Sequence, residues 1–521
     1  MAEAPGRRRG GRSHRGGEAD GSGIREPALS HRVGRSLRGH GGRGLVGPAR
    51  RVRPLPSRGV SVPRFLVIGG GPAGVAAASV AAAGGAAVTL VEAEVLGGAS
   101  QLRECIPSKA LAASISGLAG IRARGHLGSA DPGPLRPDPA RLAERRLSIA
   151  ALLSETERGR LEALGVDIRA GRARFTGART AAVASAGGED TLEFDCALIA
   201  TGSVPRVPPW VAPDGERILT SRQVYRLTQA PEEVVVVGAG ATGVEFAHLL
   251  SSLGSRVVLL ASRGRVLPQS DPEAAAALEE EFADRGVVVL RGARAREIRD
   301  ADGRVEVVAE DGRTAGGSHA LLAVGLLPAT AGLGLDAAGV SLAGEAVAVD
   351  ASQRTTTPHI FAAGDVTGGP MLSSVAAAEG TVAGRRALGL PAAPVEHTAA
   401  AQAVYTDPEV AWVGLQEDPA AASGRRVRVT RARFAANPRA LMTARPRGFA
   451  KVISDSGDET ILGGVVVGAQ AAELIGILAL AVRAGLRRDD LAGTLLAYPS
   501  LAETLAEAAA GPQRDGAPRA S

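Results

Sequence analysis

Two clusters of closely spaced glycines are the residues in this chain that most plainly could bind a charged ligand. In the first cluster, Gly69 allows a tight turn, Gly71 lets the backbone approach a pyrophosphate, and Gly74 permits a following helix to pack closely. Glu92 stands 18 residues after Gly74, where its carboxylate can accept hydrogen bonds from ribose hydroxyls. The spacing predicts a dinucleotide site at a helix N-terminus, whose free N–H groups attract phosphates.

The second cluster repeats this pattern but lacks the acid. Gly238, Gly240 and Gly243 have the same spacing as the first three glycines. The position that carries an acid in NAD-type sites is Ala261, and Arg263 follows two residues later. No carboxylate repels a 2′-phosphate there, so the cluster favours NADPH over NADH. The alternative is that Arg263 is one more surface arginine and does not bind the cofactor.

A third candidate is the pair Gly364 and Asp365, which follows a short apolar segment. A strand that ends at this pair can direct a carboxylate toward a flexible polyol, such as the ribitol of FAD. Gly-Asp is a common turn sequence, so the pair indicates a cofactor site only because the two glycine clusters accompany it.

The elements around both clusters predict two βαβ units, about 170 residues apart. Each unit consists of an apolar strand, a glycine turn, a helix and a second strand. The first unit has a strand at 64–68, a helix to about 83 and a strand at 87–91. The second has a strand at 234–237, a helix to about 253 and a strand at 256–260. Two such units imply two nucleotide-binding domains.

The rest of the chain alternates between helical and strand patterns. Two further apolar runs end in glycine, one at Thr201 and Gly202 and the other at Gly325. The remaining predictions are a helix at 140–164, short strands at 166–200, strands from about 398, helices from 471, a Gly/Pro-rich loop at 128–139 and a polar tail at 510–521.

The basic character of the chain is concentrated in its first 63 residues. These hold 14 arginines and four acids, a local charge of +10, so the remainder carries −4 of the total of +6. The segment also has 14 glycines and no aromatic residue, and cannot bury enough apolar surface to fold. We expect an unstructured leader, which is upstream sequence joined to the real start of the protein near Val60 or Val62. A targeting peptide and an RNA- or membrane-contacting arm are weaker alternatives.

Cysteine content and hydropathy exclude several classes of protein. With only Cys105 and Cys196, neither a disulfide scaffold nor a cysteine-rich zinc site is available, and we expect no metal. The low cysteine content fits a reducing, cytoplasmic compartment. No apolar run approaches the roughly 18–20 residues that span a bilayer, so we expect no integral membrane contact. Because the basic charge belongs to one tail, we expect no nucleic-acid partner.

The segment from Gly97 to Lys109 resembles the flavoprotein disulfide reductases, which include dihydrolipoamide dehydrogenase, glutathione reductase and mercuric reductase. Their pattern is Gly-Gly-x-Cys-x4-Cys-x-Pro-x-Lys, and here the chain has Gly98, Cys105 and Lys109 at the matching places. The resemblance extends over about residues 64–507. It implies that Lys109 lies near flavin N5 and pairs with Glu245.

The departures from the family pattern concern its redox chemistry. Ser100 replaces the interchange cysteine, so that only Cys105, which matches the flavin-side charge-transfer cysteine, remains. Tyr498 replaces the acid-base histidine, while the accompanying acid is kept as Glu503. Dithiol exchange needs a second sulfur and a group that moves protons near neutral pH, and a tyrosine ordinarily titrates near about pH 10. Lipoamide, glutathione and mercuric reduction are therefore disfavoured, and Cys196 is expected to be a packing residue.

These departures make the chain similar to a disulfide-less branch of the family, the NAD(P)H:quinone reductases. The resemblance implies tight FAD binding, hydride transfer from NAD(P)H to flavin, and electron transfer to a quinone-type acceptor. It also implies a homodimer in which Tyr498 and Glu503 reach the partner subunit's active site. The alternatives are a soluble transhydrogenase or diaphorase, a dihydrolipoamide dehydrogenase-like protein, and a flavin-binding interaction subunit with little turnover.

Lysine is almost absent from the chain, since 58 of the 60 basic residues are arginine. One of the two lysines is Lys109, in the segment that resembles the flavin motif. Lysine is a compact ammonium that arginine cannot replace, which supports a specific role for Lys109.

The predicted fold class is α/β, with two Rossmann-type domains and an α+β C-terminal dimerisation domain. The expected division is a disordered leader at 1–63, the first part of an FAD-binding domain at 64–203, an NAD(P)-binding domain at 204–325, the second part of the FAD-binding domain with a central region at 326–396, a dimerisation domain at 397–509 and a disordered tail at 510–521. The expected cofactor-binding residues are Gly69, Gly71, Gly74, Glu92, Gly98, Lys109, Thr201, Gly202, Gly238, Gly240, Gly243, Arg263, Gly325, Gly364 and Asp365, and the expected catalytic residues are Cys105, Lys109, Glu245, Tyr498 and Glu503.

Overall fold

The computed structural model describes residues 62–122, 137–301, 303–422 and 424–511. Predictions for the leader, for most of the loop at 128–139 and for the tail from 512 therefore lie outside the described residues. The predicted α/β fold class is confirmed. Among the described helices, none combines the length and the apolar character needed to cross a membrane.

The first sheet has five parallel strands and is buried on both faces. Its central strand has four consecutive buried residues, as expected for a parallel sheet covered on both sides. The strands, in spatial order, are Ile360–Ala362, Cys196–Ile199, Arg64–Ile68, Ala87–Glu92 and Asp167–Ala170.

One face of this sheet is covered by two closely packed helices, Pro72–Ala83 and Ser373–Ala387. Their contact needs small residues, because a Cβ on Gly380 would overlap the backbone carbonyl of Ala73. The opposite face packs against an antiparallel sheet of strands Arg172–Gly177, Thr180–Ser185 and Gly188–Glu193. Three more helices belong to this part of the chain, Gly98–Leu102, Cys105–Arg122 and Pro139–Ala163.

The second sheet repeats this architecture. Its five parallel strands, in spatial order, are Val288–Arg291, Arg256–Ala261, Glu233–Val237, His319–Leu322 and Ile218–Thr220. Helices Ala241–Ser252 and Pro272–Asp284 follow the first two strands of the unit. An antiparallel sheet accompanies it, with strands Ala295–Ala301, Arg304–Ala309 and Thr314–Gly317.

The C-terminal part is built on a five-stranded antiparallel sheet. Its strands, in spatial order, are Gln402–Val404, Glu409–Gly414, Ile461–Gly468, Phe449–Asp455 and Val427–Arg433. Helices Ala471–Ala484, Arg488–Ala492 and Glu503–Ala510 follow, as the sequence predicts. Two short helices, Glu417–Ala422 and Pro438–Met442, interrupt the region predicted as strands only. The second begins where the Asn437 side chain caps a helix with proline at its first position.

Short elements complete the fold. Strands Ser203–Pro205 and Leu326–Pro328 pair antiparallel, as do Leu342–Ala343 and Ala346–Val347. Single turns of 3-10 helix lie at Val224–Arg226, Asp365–Thr367, His397–Ala399 and Phe434–Ala436, and a four-residue α-helix at Leu335–Ala338.

One hydrophobic core joins three parts of the molecule. It contains Ala112 and Ile115 from the helix that carries Cys105, Val244 from helix Ala241–Ser252, and Val410 and Trp412 from the C-terminal sheet. Because this core is continuous, side chains from all three parts can meet at one place.

Candidate active site

The first glycine turn has the geometry that a pyrophosphate needs. Gly69 has a φ of +106°, which a residue with a side chain rarely adopts, and a Cβ on Gly74 would overlap the carbonyl oxygen of Gly69. A Cβ on Gly71, by contrast, would meet no atom within 4 Å. The turn therefore leaves open space in front of the N-terminus of helix Pro72–Ala83, where a phosphate group fits.

Glu92 ends the second strand of the unit, where it holds the glycine turn. One carboxylate oxygen accepts the N–H of Gly70 at 2.6 Å, and the other accepts the N–H of Glu94 at 2.7 Å. A carboxylate oxygen has more than one acceptor site, so Glu92 can also accept from a ribose hydroxyl.

The second glycine turn has the same geometry. Gly238 has a φ of +109°, a Cβ on Gly243 would overlap the carbonyl oxygen of Gly238, and a Cβ on Gly240 would meet nothing within 4 Å. Ala261 is buried at the end of its strand, and the Arg263 side chain is exposed. Within the described ranges, the Arg263 guanidinium forms no ion pair with a carboxylate, so it is available to an anionic group.

Lys109 and Glu245 come from the two different nucleotide-type units and form a bidentate ion pair. The ammonium lies 2.8 Å from each carboxylate oxygen of Glu245. The N–H of Tyr405 donates to Glu245 at 3.1 Å, and the Lys109 nitrogen lies 4.8 Å from the centre of the Tyr405 ring. Burial raises the pKa of the Tyr405 hydroxyl. The structure thus brings together the pair that the resemblance implies, and supports it from the C-terminal sheet.

Cys105 begins its helix, and a serine hydroxyl lies close to its sulfur. Its sulfur is 3.6 Å from the hydroxyl of Ser373, which is 3.0 Å from the hydroxyl of Ser100. Ser373 is the first residue of helix Ser373–Ala387. The residue that replaces the interchange cysteine is therefore connected to Cys105 through a hydroxyl.

A chain of polar contacts connects Glu104, the residue before Cys105, with the turn at Gly364 and Asp365. Glu104 accepts from Arg222 at 2.6 Å, and Arg222 also donates to the carbonyl oxygen of Ser203 at 2.6 Å. The hydroxyl of Ser203 donates to Asp365 at 2.7 Å. Burial raises the pKa of Asp365 even though this hydrogen bond favours its ionised form. The Asp365 carboxylate is therefore held in place by the Ser203 hydroxyl and largely shielded from water by burial.

The other predicted cofactor-binding residues surround these contacts. Gly202 and Gly325 have positive φ and open space where a Cβ would stand. Thr201 donates to the carbonyl oxygen of Ala329 at 2.8 Å. A Cβ on Gly98 would lie 3.0 Å from the Cα of Gly71, so the redox segment packs directly on the first glycine turn. Gly364 donates its N–H to the buried Glu379, which the sequence does not indicate.

Tyr498 and Glu503 lie in the C-terminal part and are not brought to Cys105 within one chain. Tyr498 is 76% exposed, and Glu503 accepts the N–H of Ser500 at 2.9 Å. In the part of the chain that the structure describes, neither forms a hydrogen bond or ion pair with Cys105 or Lys109.

Cys196 lies on a strand of the first sheet and is half-buried. Its sulfur is 3.6 Å from the carbonyl oxygen of Ala387, and burial raises the pKa of its thiol. Such a thiol is a poor nucleophile, because the reactive species is the thiolate.

Several residues at the site have no signal in the sequence. Ser373, Arg222, Ser203 and Glu379 have ordinary types and stand in no motif. For Tyr405 the only indication is the segment from Tyr405 to Glu409, Tyr-Thr-Asp-Pro-Glu, which resembles the interface-domain pattern of the family. Each reaches the site through tertiary contact with a residue at least 15 positions away.

Two family models match the chain, and between them they cover most of it. The first, described as pyridine nucleotide-disulphide oxidoreductase, matches residues 63–380. The second, described as the dimerisation domain of pyridine nucleotide-disulphide oxidoreductases, matches residues 400–509.

Curated relatives and solved structures agree with these matches. An NAD(P)H dehydrogenase (quinone) of Mycobacterium tuberculosis is 39% identical over 460 residues, covering 86% of this chain and 93% of the relative. A dihydrolipoyl dehydrogenase of Chlorobaculum tepidum is 36% identical over 448 residues, covering 85% and 95%. The crystal structure of LpdA from Mycobacterium tuberculosis superposes with a TM-score of 0.81 at 39% identity, covering 86% of this chain and 99% of that one. The chain therefore belongs to the pyridine nucleotide-disulphide oxidoreductase family of flavoproteins.

Proposed function

We propose that this protein is an FAD-dependent NAD(P)H oxidoreductase that reduces a quinone-type acceptor without a redox-active disulfide. The observation that carries the proposal is the arrangement at Cys105. A serine, Ser100, stands at the second sulfur position, and the Ser373 hydroxyl lies between it and the thiol. A single thiol with hydroxyl neighbours cannot complete dithiol exchange. The relative named NAD(P)H dehydrogenase (quinone) supports the choice of acceptor.

The residues of the chain would hold two nucleotide cofactors. FAD, when bound, supplies the hydride-accepting and electron-donating chemistry. The Gly69–Gly74 turn, Glu92 and Asp365 fit FAD, and the Gly238–Gly243 turn fits a nicotinamide dinucleotide.

Lys109 is the cation best placed to act beside the bound cofactors. Glu245 holds its ammonium through two contacts of 2.8 Å, and the Tyr405 ring covers it. A charge held in this way needs no reorganisation during turnover, which is how preorganised groups stabilise developing negative charge. We assign Lys109 and Glu245 to electrostatic positioning at the site where hydride is transferred.

NADPH is the proposed donor in preference to NADH. Ala261 removes the acid that would bind the ribose, and the exposed Arg263 has no carboxylate partner among the described residues. A guanidinium can bind a 2′-phosphate through two parallel hydrogen bonds.

A homodimer is the proposed assembly, because the C-terminal part matches a dimerisation domain. In such a dimer, Tyr498 and Glu503 would complete the partner's site, which is consistent with the exposure of Tyr498 in one chain. The domain boundaries given by the sequence remain part of this proposal, as does the cytoplasmic location.

The test is steady-state NADPH oxidation by the holoenzyme with naphthoquinones, lipoamide and glutathione disulfide. We expect quinone turnover to exceed lipoamide turnover greatly, and Cys105→Ser to retain most of the quinone activity. Cys196→Ser, which alters a half-buried thiol on the first sheet, is the matched control. Anaerobic titration should need about one equivalent of reductant per FAD, because a second equivalent requires a disulfide.

A dihydrolipoamide dehydrogenase is the second candidate, since several curated relatives carry that name at 34–37% identity. Strong lipoamide turnover, or a second reducible equivalent in the titration, would favour it and reject the quinone proposal.

A further inference from the structure

A largely apolar pocket lies outside the nucleotide and redox residues. It has a volume of about 110 Å³ and lies between helices Cys105–Arg122, Pro139–Ala163 and Ala241–Ser252 and the segment 224–231. Its walls include Leu111, Leu142, Phe246, Leu249, Leu250 and Leu253. None of its lining residues belongs to either glycine turn. A dry cavity of about 150 Å³ holds one benzene ring, so this smaller space, which opens to solvent, accommodates a short alkyl chain or the inner part of a single ring.

Among the described residues that line this apolar space, Arg146 is the one with a charged side chain. The residue is only 9% exposed, and burial lowers the pKa of its guanidinium. One nitrogen donates to the carbonyl oxygen of Tyr225 at 3.3 Å, and the guanidinium carbon lies 5.3 Å from the centre of the Tyr225 ring. A guanidinium has five N–H donors, so after the bond to Tyr225 most of them have no acceptor among the described residues.

Arg146 differs from the buried Lys451 and Arg488 in having no acidic partner among the described residues. Lys451 lies 2.7 Å from Asp271, and Arg488 lies 3.9 Å from Glu459. Arg146 forms no ion pair with any Asp or Glu of the described chain. Burying a charge without an opposite charge is costly, so an anion in the pocket would remove an unfavourable arrangement.

We propose that this pocket binds a small hydrophobic monocarboxylate, with the carboxylate on Arg146 and the apolar group among the leucines. A carboxylate matches the planar guanidinium through two parallel hydrogen bonds, and a single anionic group matches the single cation. The proposed site is separate from the proposed quinone reduction and does not depend on it.

The direct test is calorimetric titration of the FAD-loaded enzyme with phenylacetate and with phenylacetamide, which has the same ring but no charge. We expect phenylacetate to saturate one site per chain and phenylacetamide to bind about tenfold more weakly or worse, a difference of about 1.4 kcal/mol. Arg146→Gln should weaken phenylacetate binding by a similar factor. Arg145→Gln, an exposed arginine on the same helix, should leave it unchanged.

A second variant tests the apolar part. Ala143→Phe places a ring in the pocket while keeping Arg146, and should abolish phenylacetate binding with flavin content retained. The proposal is overturned if phenylacetate shows no saturable binding at millimolar concentrations. It is also overturned if acid and amide bind equally, or if Arg145→Gln weakens binding as much as Arg146→Gln. Should Arg146→Gln fail to fold, the comparison of acid with amide on the unmodified enzyme still decides.

Discussion

Both lysines of this arginine-rich chain form buried or partly buried ion pairs with acids of the second nucleotide-type unit. Lys109 pairs with Glu245, and Lys451 pairs with Asp271 at 2.7 Å. Because lysine is so scarce in the sequence, its presence at position 109 indicates a specific role. The same argument applies to Lys451. Lysine presents a compact charge at the end of an unbranched chain, which fits a narrow buried site better than a planar guanidinium.

We expect Lys451 to contribute to the stability of the fold and not to catalysis. It is 1% exposed and joins the C-terminal sheet to Asp271, the N-cap of helix Pro272–Asp284. Lys451→Met leaves the carboxylate buried without its cation, so we expect the free energy of unfolding to fall by about 3–5 kcal/mol. Urea denaturation measures this loss. The matched control is Arg299→Met, which breaks an exposed pair with Glu297 and should leave the free energy of unfolding nearly unchanged. A Lys451→Met protein as stable as the control would show that the buried pair contributes nothing.

Arg263 is expected to select the dinucleotide. Arg263→Ala should lower kcat/KM for NADPH about tenfold or more and leave that for NADH nearly unchanged, because only NADPH carries the 2′-phosphate. Steady-state kinetics with both donors measures this, with Arg158→Ala on helix Pro139–Ala163 as the control. Equal losses with both donors would mean that Arg263 is a structural arginine. A tenfold preference of the unmodified enzyme for NADH would reject the assignment.

At the scale of elements, the two helices after the glycine turns begin differently from helices Pro139–Ala163 and Pro272–Asp284. Helices Pro72–Ala83 and Ala241–Ser252 start at glycines and have no side-chain cap. Helices Pro139–Ala163 and Pro272–Asp284 are capped by the carboxylates of Asp138 and Asp271. A cap would occupy the N–H groups that a phosphate needs, so the uncapped starts are consistent with ligand sites.

Helix Ala241–Ser252 also contains a buried histidine that should make stability depend on pH. Burial, together with the nearby positive charge of Arg285, lowers the pKa of His248 from 6.5 to about 4. The facing groups are Arg285, 3.3 Å from Nδ1, and the acid Asp407, which acts in the opposite direction. Above pH 6.5 the ring is neutral in both states and the contribution is constant. As pH falls from 6.5 toward 4, only the unfolded chain gains the proton, so stability is lost.

The full loss from this one group is about 3 kcal/mol by pH 4. His248→Gln keeps an acceptor for Arg285 but cannot be protonated, so its stability should fall less steeply between pH 6.5 and 4. Urea midpoints of both proteins across that range measure the difference. Parallel curves would show that His248 does not titrate in the way its burial implies.

At the scale of the molecule, the family match begins where the arginine-rich segment of the sequence ends. The first family match starts at residue 63, and the first described stretch of the structure starts at residue 62. A chain shortened to residues 61–521 should therefore keep its FAD content, its turnover and its oligomeric state, since the removed segment contains no aromatic residue to bury. Flavin absorbance, NADPH oxidation and analytical ultracentrifugation, compared with the full chain, measure these properties. Loss of flavin or of the dimer on shortening would assign a structural role to the leader.

The sequence by itself determined the architecture and the location of the two glycine turns. Apolar runs such as Phe65–Ile68 and Val234–Val237 predict buried parallel strands because both faces of such a sheet are covered. Gly69 and Gly238 predict tight turns because only glycine adopts their positive φ without strain. These properties depend on local sequence, and they appear in the structure at nearly the predicted residues.

Only the tertiary structure decided which side chains meet around Cys105. Ser373 lies 273 residues from Ser100, and Arg222 lies 118 residues from Glu104, yet both pairs are in contact. The pocket at Arg146 likewise needs three helices from distant parts of the chain. Such contacts depend on how strands and helices pack in space, and side chains of ordinary type carry no local pattern that records their distant neighbours.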